Sequence, residues 1–440
     1  MNAKKCPVAT NLPVRDYDRR MEGSLPLDAQ DLKILELEGS TLVGHTCKVI
    51  RLAAPGAEFE PLFDSISGRV ASVPELNWKL SEENGVKVWT DDRDFRLERH
   101  LVPLDVGRRI TDEELSDAAG ELFSQRLDRD HPLWRIDVAQ LDDGGTALIW
   151  RIHHALADGT TTMRLAREII WNENEAPGVR EPAAHREVRA QDNTRRRRHL
   201  VGLFEREFAR AGDPSPFDGQ IGTERSIAFA TVSLKALHDA GKKAADATLN
   251  DSVLSVVAGA IRRWMELHHV EDPGVVRVRV PVSLHHGDHD GGNRDSYFSV
   301  PLPLGVADPI DRLKAIRNET DERKVDHDAE EIDSLIQLIG KTSPRLSHLY
   351  SKFESNPRRF GLNISNVRGP SQPVSVLEAP VETVHSIVEI GERHALRVAA
   401  LSVGDRLCFG FCADPDLVQD LGVMADGIEF ATERLIDASD

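Results

Sequence analysis

A break in composition divides this chain and constrains its fold more than any other feature. From Asn172 to about Glu224 the sequence is rich in Glu, Arg, Pro and Gly and poor in alternating apolar residues. On either side, strand-like and helix-like apolar runs follow one another in a similar rough order. We therefore predict two similar α/β domains, each with its own core. The predicted segments are a flexible leader at 1–24, a first domain at 25–172, a crossover linker at 173–224 and a second domain at 225–440.

Charge and hydropathy narrow the class of protein. The formal net charge is −18 at pH 7 and 40% of the residues are hydrophobic, which is ordinary for a globular chain. We do not expect nucleic acid as the main partner, because phosphate binding depends on clustered positive charge. The first twenty residues lack the apolar core of a signal peptide, and no uncharged apolar run reaches about 18 residues. A cytoplasmic protein without a spanning helix is therefore expected.

The cysteines are expected to be structural. Cys6, Cys47, Cys408 and Cys412 have neither the paired spacing of a metal site nor that of a disulfide framework. Cys408 and Cys412 lie four residues apart on a predicted strand, so they share one of its faces. We expect these thiols to pack in the core as small apolar side chains.

A histidine pair follows one of the predicted strands. Strand-like runs at Trp134–Leu141 and Thr146–Ile152 are followed by a helix-like run at Thr161–Trp171, and the segment HHALADG lies between the last two, at residues 153–159. An imidazole at a strand end can remove a proton from a substrate hydroxyl, because its pKa lies near working pH. Neighbours on a strand point to opposite faces, so only one of the two histidines can face a given cavity.

Other interpretations of this segment stay open on the residues alone. A zinc site could use His153, His154 and Asp158, although adjacent histidines diverge and the chain has no His-Glu-x-x-His spacing. The pair could equally belong to an inert, hydrogen-bonded turn. Asp158 and Gly159 could simply start a helix, which leaves the histidines unexplained. No Gly-x-Ser-x-Gly elbow exists, so direct transfer with a histidine base is simpler than a route through an acyl-enzyme.

The segment has the HHxxxDG pattern of the chloramphenicol-acetyltransferase-like superfamily, and further motifs narrow the resemblance. Three of them resemble the Pro-Leu-Trp, Asn-Asp and Ser-Asn-Val-Pro-Gly-Pro motifs of bacterial wax ester synthase/diacylglycerol acyltransferases. They are Pro132-Leu133-Trp134, Asn250-Asp251 and Ser365-Asn366-Val367-Arg368-Gly369-Pro370. Four shorter elements also fit, at Pro26–Ala29, Pro281–Leu284, Gly292-Asn293 and Ala413–Asp416. The likeness runs in the right order from about residue 25 to residue 435.

This resemblance implies a fold, an activity and a set of residue roles. The fold is a pair of chloramphenicol-acetyltransferase-like sandwich domains with an active-site channel at their junction. The activity is transfer of a fatty acyl group from acyl-CoA, as co-substrate, to a long-chain alcohol or diacylglycerol, with no metal or other cofactor. His154 is the base, Asp158 is structural, Gly159 opens the turn, and His153 is a less defined partner. The residues expected to line or support the channel are Pro132, Leu133, Trp134, Asn250, Asp251, Ser365, Asn366 and Gly369.

Several features of the sequence leave open which acceptor receives the acyl group and whether the protein contacts a membrane or lipid inclusion. Arg368 stands where the family usually has proline, so the loop at this point is predicted to differ in shape. The His/Asp-rich segment His285–Asp290 is predicted to be a solvated loop, with incidental metal binding as the alternative. The run Arg195–Arg198, followed by Leu200, predicts either a solvated linker or peripheral contact with a membrane or lipid inclusion. A condensation-type enzyme with a non-lipid acceptor and a catalytically silent lipid-binding protein are the alternative functions.

Overall fold

The computed structural model describes residues 24–172, 215–274, 276–283, 295–325 and 361–440. In this part of the chain, strands form two six-stranded sheets and one three-stranded sheet, with helices packed around them. The prediction of an α/β fold with two sheet-rich domains is confirmed. The domain boundaries stay a prediction, and two strands of the second half join the sheet of the first.

Within residues 24–172, the first half supplies seven strands and four helices. The strands are β1 (Ser24–Pro26), β2 (His45–Leu52), β3 (Trp78–Glu83), β4 (Val86–Asp91), β5 (Leu101–Pro103), β6 (Trp134–Gln140) and β7 (Thr146–His153). The helices are α1 (Ala29–Leu37), α2 (Phe59–Val70), α3 (Asp112–Ser124) and α4 (Gly159–Ile169).

The second half supplies eight strands and four helices among the described residues. The strands are β8 (Ser226–Ser233), β9 (Val276–Ser283), β10 (Asp295–Leu302), β11 (Leu362–Arg368), β12 (Ser375–Val376), β13 (Ala379–Val388), β14 (Leu396–Val403) and β15 (Arg406–Ala413). The helices are α5 (Leu234–Ala245), α6 (Leu249–Leu267), α7 (Pro309–Val325) and α8 (Leu421–Ser439).

The first sheet has the order β12-β13-β2-β7-β6-β5, so two strands from the second half complete it. β2 and β7 run antiparallel in its middle, with His45 opposite His153. β13 pairs with the other edge of β2, placing Ser386 opposite Lys48. All eight residues of β7 are buried. The strand that ends in the histidine pair is therefore held on both edges and covered on both faces.

The second sheet has the order β10-β9-β11-β14-β15-β8. β11 runs parallel to its neighbours β9 and β14, and the other pairs are antiparallel. Helix α6 packs against this sheet and against α8, and twelve of its side chains, from Asp251 to Met265, are buried. The sequence predicts this helix as buried because apolar residues lie on most of its sides.

Two predictions about individual features can be checked on the fold, and one feature was not predicted. Cys47, Cys408 and Cys412 are buried and unpaired, so core packing is confirmed for them, while Cys6 lies outside the described residues. None of the helices in the described part of the chain is long and apolar enough to cross a membrane. Sequence patterns miss the β3–β4 hairpin, which pairs with β1 to form the small sheet.

Candidate active site

The turn after β7 is fixed by backbone hydrogen bonds on both sides. The His153 N–H donates to the Leu133 carbonyl at 2.9 Å, and the His154 N–H donates to the Gly44 carbonyl at 2.9 Å. The N–H groups of Leu156 and Ala157 both donate to the His153 carbonyl, at 2.9 and 3.1 Å. These hydrogen bonds fix the backbone of the turn around His153. They hold His154 directly after the last residue of β7.

The Pro-Leu-Trp segment supports this strand end from the core. Leu133 and Trp134 are both 1% exposed. The Trp134 indole N–H donates to the Leu76 carbonyl at 2.7 Å, and its ring stacks on the His100 imidazole with centroids 4.6 Å apart. Through the Leu133 carbonyl this segment bonds the backbone of His153. The contribution of Leu133 and Trp134 to the site is thus structural support, made from inside the core.

Both ring nitrogens of His153 are occupied. Nε2 lies 2.6 Å from a Glu38 carboxylate oxygen, and Nδ1 accepts the Ala155 backbone N–H at 3.1 Å. Because Nδ1 accepts, the neutral ring carries its proton on Nε2 and donates it to Glu38. His153 is 3% exposed. Its ring has no nitrogen free to meet a substrate, which separates its role from that of His154.

His154 has a different environment. The residue as a whole is half-buried, while its Nδ1 is enclosed and makes no hydrogen bond within the described residues. Burial lowers the pKa of the imidazole and the charge of Arg397 adds to this shift, while its own backbone and Asp158 oppose it. His154 is therefore kept neutral, as a general base requires.

Asp158 and Gly159 begin helix α4. An Asp158 carboxylate oxygen accepts the Thr161 backbone N–H at 2.6 Å, so Asp158 is the N-cap. The helix starts two residues before the predicted Thr161 because this cap satisfies its first turn. A Cβ on Gly159 would lie 3.9 Å from Val367 of β11. The HHxxxDG turn and the Ser365–Pro370 segment, 200 residues apart in sequence, therefore meet.

The Ser365–Pro370 segment is mostly the end of strand β11. Ser365 and Asn366 are partly buried, and Arg368 is exposed and pairs in register with Ser402 of β14. Arg368 is therefore the last residue of a regular parallel strand. The following Gly369 leaves no room for a side chain, since a Cβ there would lie 2.2 Å from the Ser402 carbonyl oxygen.

Asn250 and Asp251 lie in the first turn of α6. Asp251 and Thr248 form a capping box, and the other Asp251 oxygen accepts the Thr320 hydroxyl of α7 at 2.7 Å. Asp251 is fully buried, so it holds two helices of the second domain together. Asn250 beside it is partly exposed.

Lys48 is a charged residue of the site that sequence patterns miss. It is 2% exposed, and its ammonium donates to the Ser386 hydroxyl at 2.5 Å. Burial lowers its pKa to about 8, while Cys47 and the Asp158 carboxylate oppose the shift. It lies near enough to Asp158 for the two charges to interact, which places a cation close to the start of α4. From sequence, a lysine within a strand-like run is expected to be exposed. Lys48 is buried because strand β13 pairs with β2 beside it.

Some of the predicted elements lie outside the described residues. They are the arginine run at 195–198 and the His/Asp-rich segment at 285–290, together with the Gly292-Asn293 pair. Among the side chains that the structure describes, no group of three His, Cys, Asp or Glu is arranged to hold a metal ion.

Comparison with known proteins identifies the family. The model of the wax ester synthase/diacylglycerol acyltransferase catalytic domain matches residues 27–209, and the model of the C-terminal domain of the same family matches residues 291–435. The chain belongs to the wax ester synthase/diacylglycerol acyltransferase family. The resemblance drawn from the motifs is thereby confirmed, and HHxxxDG falls within the catalytic-domain match.

Similar proteins span nearly the whole chain. A putative diacylglycerol O-acyltransferase of Mycobacterium tuberculosis is 27% identical over 92% of this chain and 86% of its own length. A probable diacylglycerol O-acyltransferase of the same organism is 25% identical over 88% and 90%. Among solved structures, the wax ester synthase/diacylglycerol acyltransferase of Marinobacter aquaeolei VT8 matches with a TM-score of 0.71 at 23% identity, covering 94% and 99%.

The fold is shared more widely than the family. The starter condensation domain of rhizomide synthetase, solved with C8-CoA and Leu-SNAC, matches with a TM-score of 0.57 at 13% identity and covers 96% of both chains. At this identity the likeness concerns the fold alone. It confirms the predicted chloramphenicol-acetyltransferase-like architecture.

Proposed function

We propose that the protein transfers a fatty acyl group from acyl-CoA to the hydroxyl of a long-chain alcohol or diacylglycerol, with His154 as the general base. Family membership supports the reaction class. The observation that carries the role of His154 is its environment: it is half-buried directly after strand β7, and burial lowers the pKa of its imidazole, which keeps the ring neutral. Its neighbour His153 is engaged on both ring nitrogens and is not available for the same task.

The proposed reaction needs one base and no covalent enzyme intermediate. Nε2 of His154 removes the acceptor hydroxyl proton as the oxygen attacks the thioester carbon. The tetrahedral intermediate then collapses, the carbon–sulfur bond breaks, and the departing CoA thiolate takes the proton from the imidazolium. Because Nδ1 is enclosed, Nε2 is the ring nitrogen left to meet the hydroxyl.

The environment of the described cysteines favours this direct route over an acyl-enzyme. Burial raises the pKa of Cys47 to about 12 and also raises the pKa of Cys408 and Cys412. The thiolate is the nucleophilic form of cysteine, so these three buried thiols are poorly suited to accept an acyl group at neutral pH.

The pH dependence of the reaction tests the base. A lowered pKa keeps His154 neutral to lower pH, so we expect the acidic limb of kcat/KM below about 6.5, the ordinary histidine value. Arg397 contributes to this shift. Arg397→Gln removes a positive charge that opposes protonation, so its acidic limb should move to higher pH. The matched control is Arg393→Gln, an exposed arginine paired with Asp218. An Arg397→Gln limb that coincides with that of the control would contradict the assignment.

A panel of acceptors tests the substrate class. Purified protein is incubated with labelled palmitoyl-CoA and with hexadecanol, diacylglycerol, a short-chain alcohol or a long-chain amine, and the products are identified. We expect esters of hexadecanol or diacylglycerol. Amide as the main product would favour the condensation-type alternative. Lipid binding without any release of CoA would favour the silent lipid-binding protein.

A further inference from the structure

A buried carboxylate outside every recognised motif contacts the histidine pair. Glu38 follows helix α1, and its side chain is 6% exposed. One oxygen accepts the Nε2 proton of His153 at 2.6 Å. The other oxygen accepts hydrogen bonds from Arg126, at 3.1 Å, and from Arg129. Glu38 thus lies between two arginines that follow α3 and the first histidine of HHxxxDG.

The Glu38 contact decides which tautomer His153 adopts. A carboxylate can only accept, so the ring nitrogen facing it must carry the proton. Nδ1 is then free to accept the Ala155 N–H, the peptide group directly after His154. With the opposite tautomer, an Nδ1–H would face the Ala155 N–H and the bond would be lost. An ionised Glu38 therefore favours the His153 tautomer in which Nδ1 can accept the Ala155 N–H.

Gly44 completes the arrangement. Its carbonyl accepts the His154 N–H. An added Cβ would lie 2.7 Å from His153 Nε2 and 2.8 Å from Glu38 Cγ. The backbone that holds His154 is therefore in contact with the Glu38–His153 pair itself. Burial raises the pKa of Glu38, but the hydrogen bonds from His153 and Arg129 and the charge of Arg129 outweigh it and lower the pKa overall, so the carboxylate is ionised at neutral pH.

We propose that Glu38 is a positioning residue for the acyl transfer: it fixes His153 with its proton on Nε2, and His153 in turn holds the peptide groups that present His154. Glu38 acts through His153 and does not touch the substrate. This inference rests on the proposed function, since it assigns to Glu38 a role in positioning the proposed base.

Three variants and a control test this role. Glu38→Gln keeps the shape and loses the charge, Glu38→Asp keeps the charge, and Glu36→Gln changes an exposed glutamate two residues away. We expect Glu38→Gln to lower kcat by about 10- to 100-fold, the scale of a small misplacement of a catalytic group, with the KM for acyl-CoA unchanged. Glu38→Asp should recover part of kcat. The third variant, His153→Gln, should show no further loss when combined with Glu38→Gln.

A spectroscopic readout separates positioning from a general structural role. In protein labelled with ¹⁵N-histidine, a proton held between His153 Nε2 and a carboxylate should give a far-downfield resonance. We expect this resonance in the wild type and in Glu36→Gln, and we expect Glu38→Gln and His153→Gln to abolish it. Its survival in Glu38→Gln, or a full kcat in that variant at unchanged melting temperature, would overturn the proposal.

Failure of this inference is distinguishable from failure of the proposed function. His154→Ala is measured in the same assay. If the His154→Ala variant is active, His154 is not the base, and the proposed mechanism is wrong whatever the effect of changing Glu38. If the His154→Ala variant is inactive and the Glu38→Gln variant is fully active, only the positioning role of Glu38 is wrong.

Discussion

Replacing His154 with alanine is expected to lower the rate of CoA release from acyl-CoA and alcohol by about 10²- to 10⁴-fold, the usual contribution of a general base. The loss should fall on kcat, because the ring removes a proton during the attack and is not needed to anchor the thioester. Folding should survive, since the imidazole makes no hydrogen bond through Nδ1 within the described residues. The measurement is thiol release against time, with the melting temperature of each variant recorded beside it.

Two further variants sharpen this result. His154→Gln keeps a polar side chain of similar reach but cannot act as a base near neutral pH, so it should be as impaired as His154→Ala. His238→Ala removes an exposed histidine of α5 and should retain wild-type turnover. Near-wild-type activity in either His154 variant would show that another group takes the proton, and the mechanism proposed above would be wrong.

The elements around the base could be predicted from sequence because their signals are local. Strand β7 is a mostly apolar run, interrupted by Arg151, that follows a glycine turn, and α4 starts after an aspartate that caps it. The two ends of the segment are therefore fixed within about two residues. The assignment of His154 over His153 came only from the family pattern. The hydrogen bonds of His153 now supply a physical reason for it.

The partners of the site could not be predicted because they come from distant parts of the chain. Glu38 lies 115 residues before His153, in the loop that follows α1. The sequence of this loop contains no motif that would indicate a functional residue. Ser386, which accepts a hydrogen bond from the Lys48 ammonium, lies 338 residues after Lys48. Strand β13 reads as an ordinary strand of the second domain, and nothing in its residues indicates that it pairs with β2. A single sequence encodes the propensity of a strand but does not show which sheet it joins.

The burial of Lys48 shows what this crossing strand contributes to the site. A fully buried ammonium is costly unless polar groups surround it. β13 supplies Ser386 as an acceptor, and the start of α4 supplies the nearby charge of Asp158. Strand β13 therefore helps to stabilise a buried ammonium close to the HHxxxDG turn. In this way the first sheet depends on the second half of the chain.

The second large effect is expected at Gly44, which has a φ of +73° and lies against the Glu38–His153 pair. Gly44→Ala imposes two costs. The left-handed backbone costs a residue with a Cβ about 1–2 kcal/mol, and the new methyl would lie 2.7 Å from His153 Nε2. The imidazole and Glu38 must then move apart, which breaks the contact that holds the turn. We expect kcat to fall at least about 10-fold and the free energy of unfolding to fall by more than the backbone term.

Gly85→Ala isolates the backbone term from the contact. Gly85 lies in the β3–β4 turn with a φ of +79°, and no atom lies within 4 Å of the position of its added Cβ. Both substitutions carry a similar conformational cost, but only Gly44→Ala reaches the histidine pair. We therefore expect Gly85→Ala to lower the free energy of unfolding modestly in urea titrations and to leave kcat unchanged. Equal effects of the two substitutions on kcat would mean that the packing of Gly44 against His153 does not position the base, and the contact would then be only a feature of the fold.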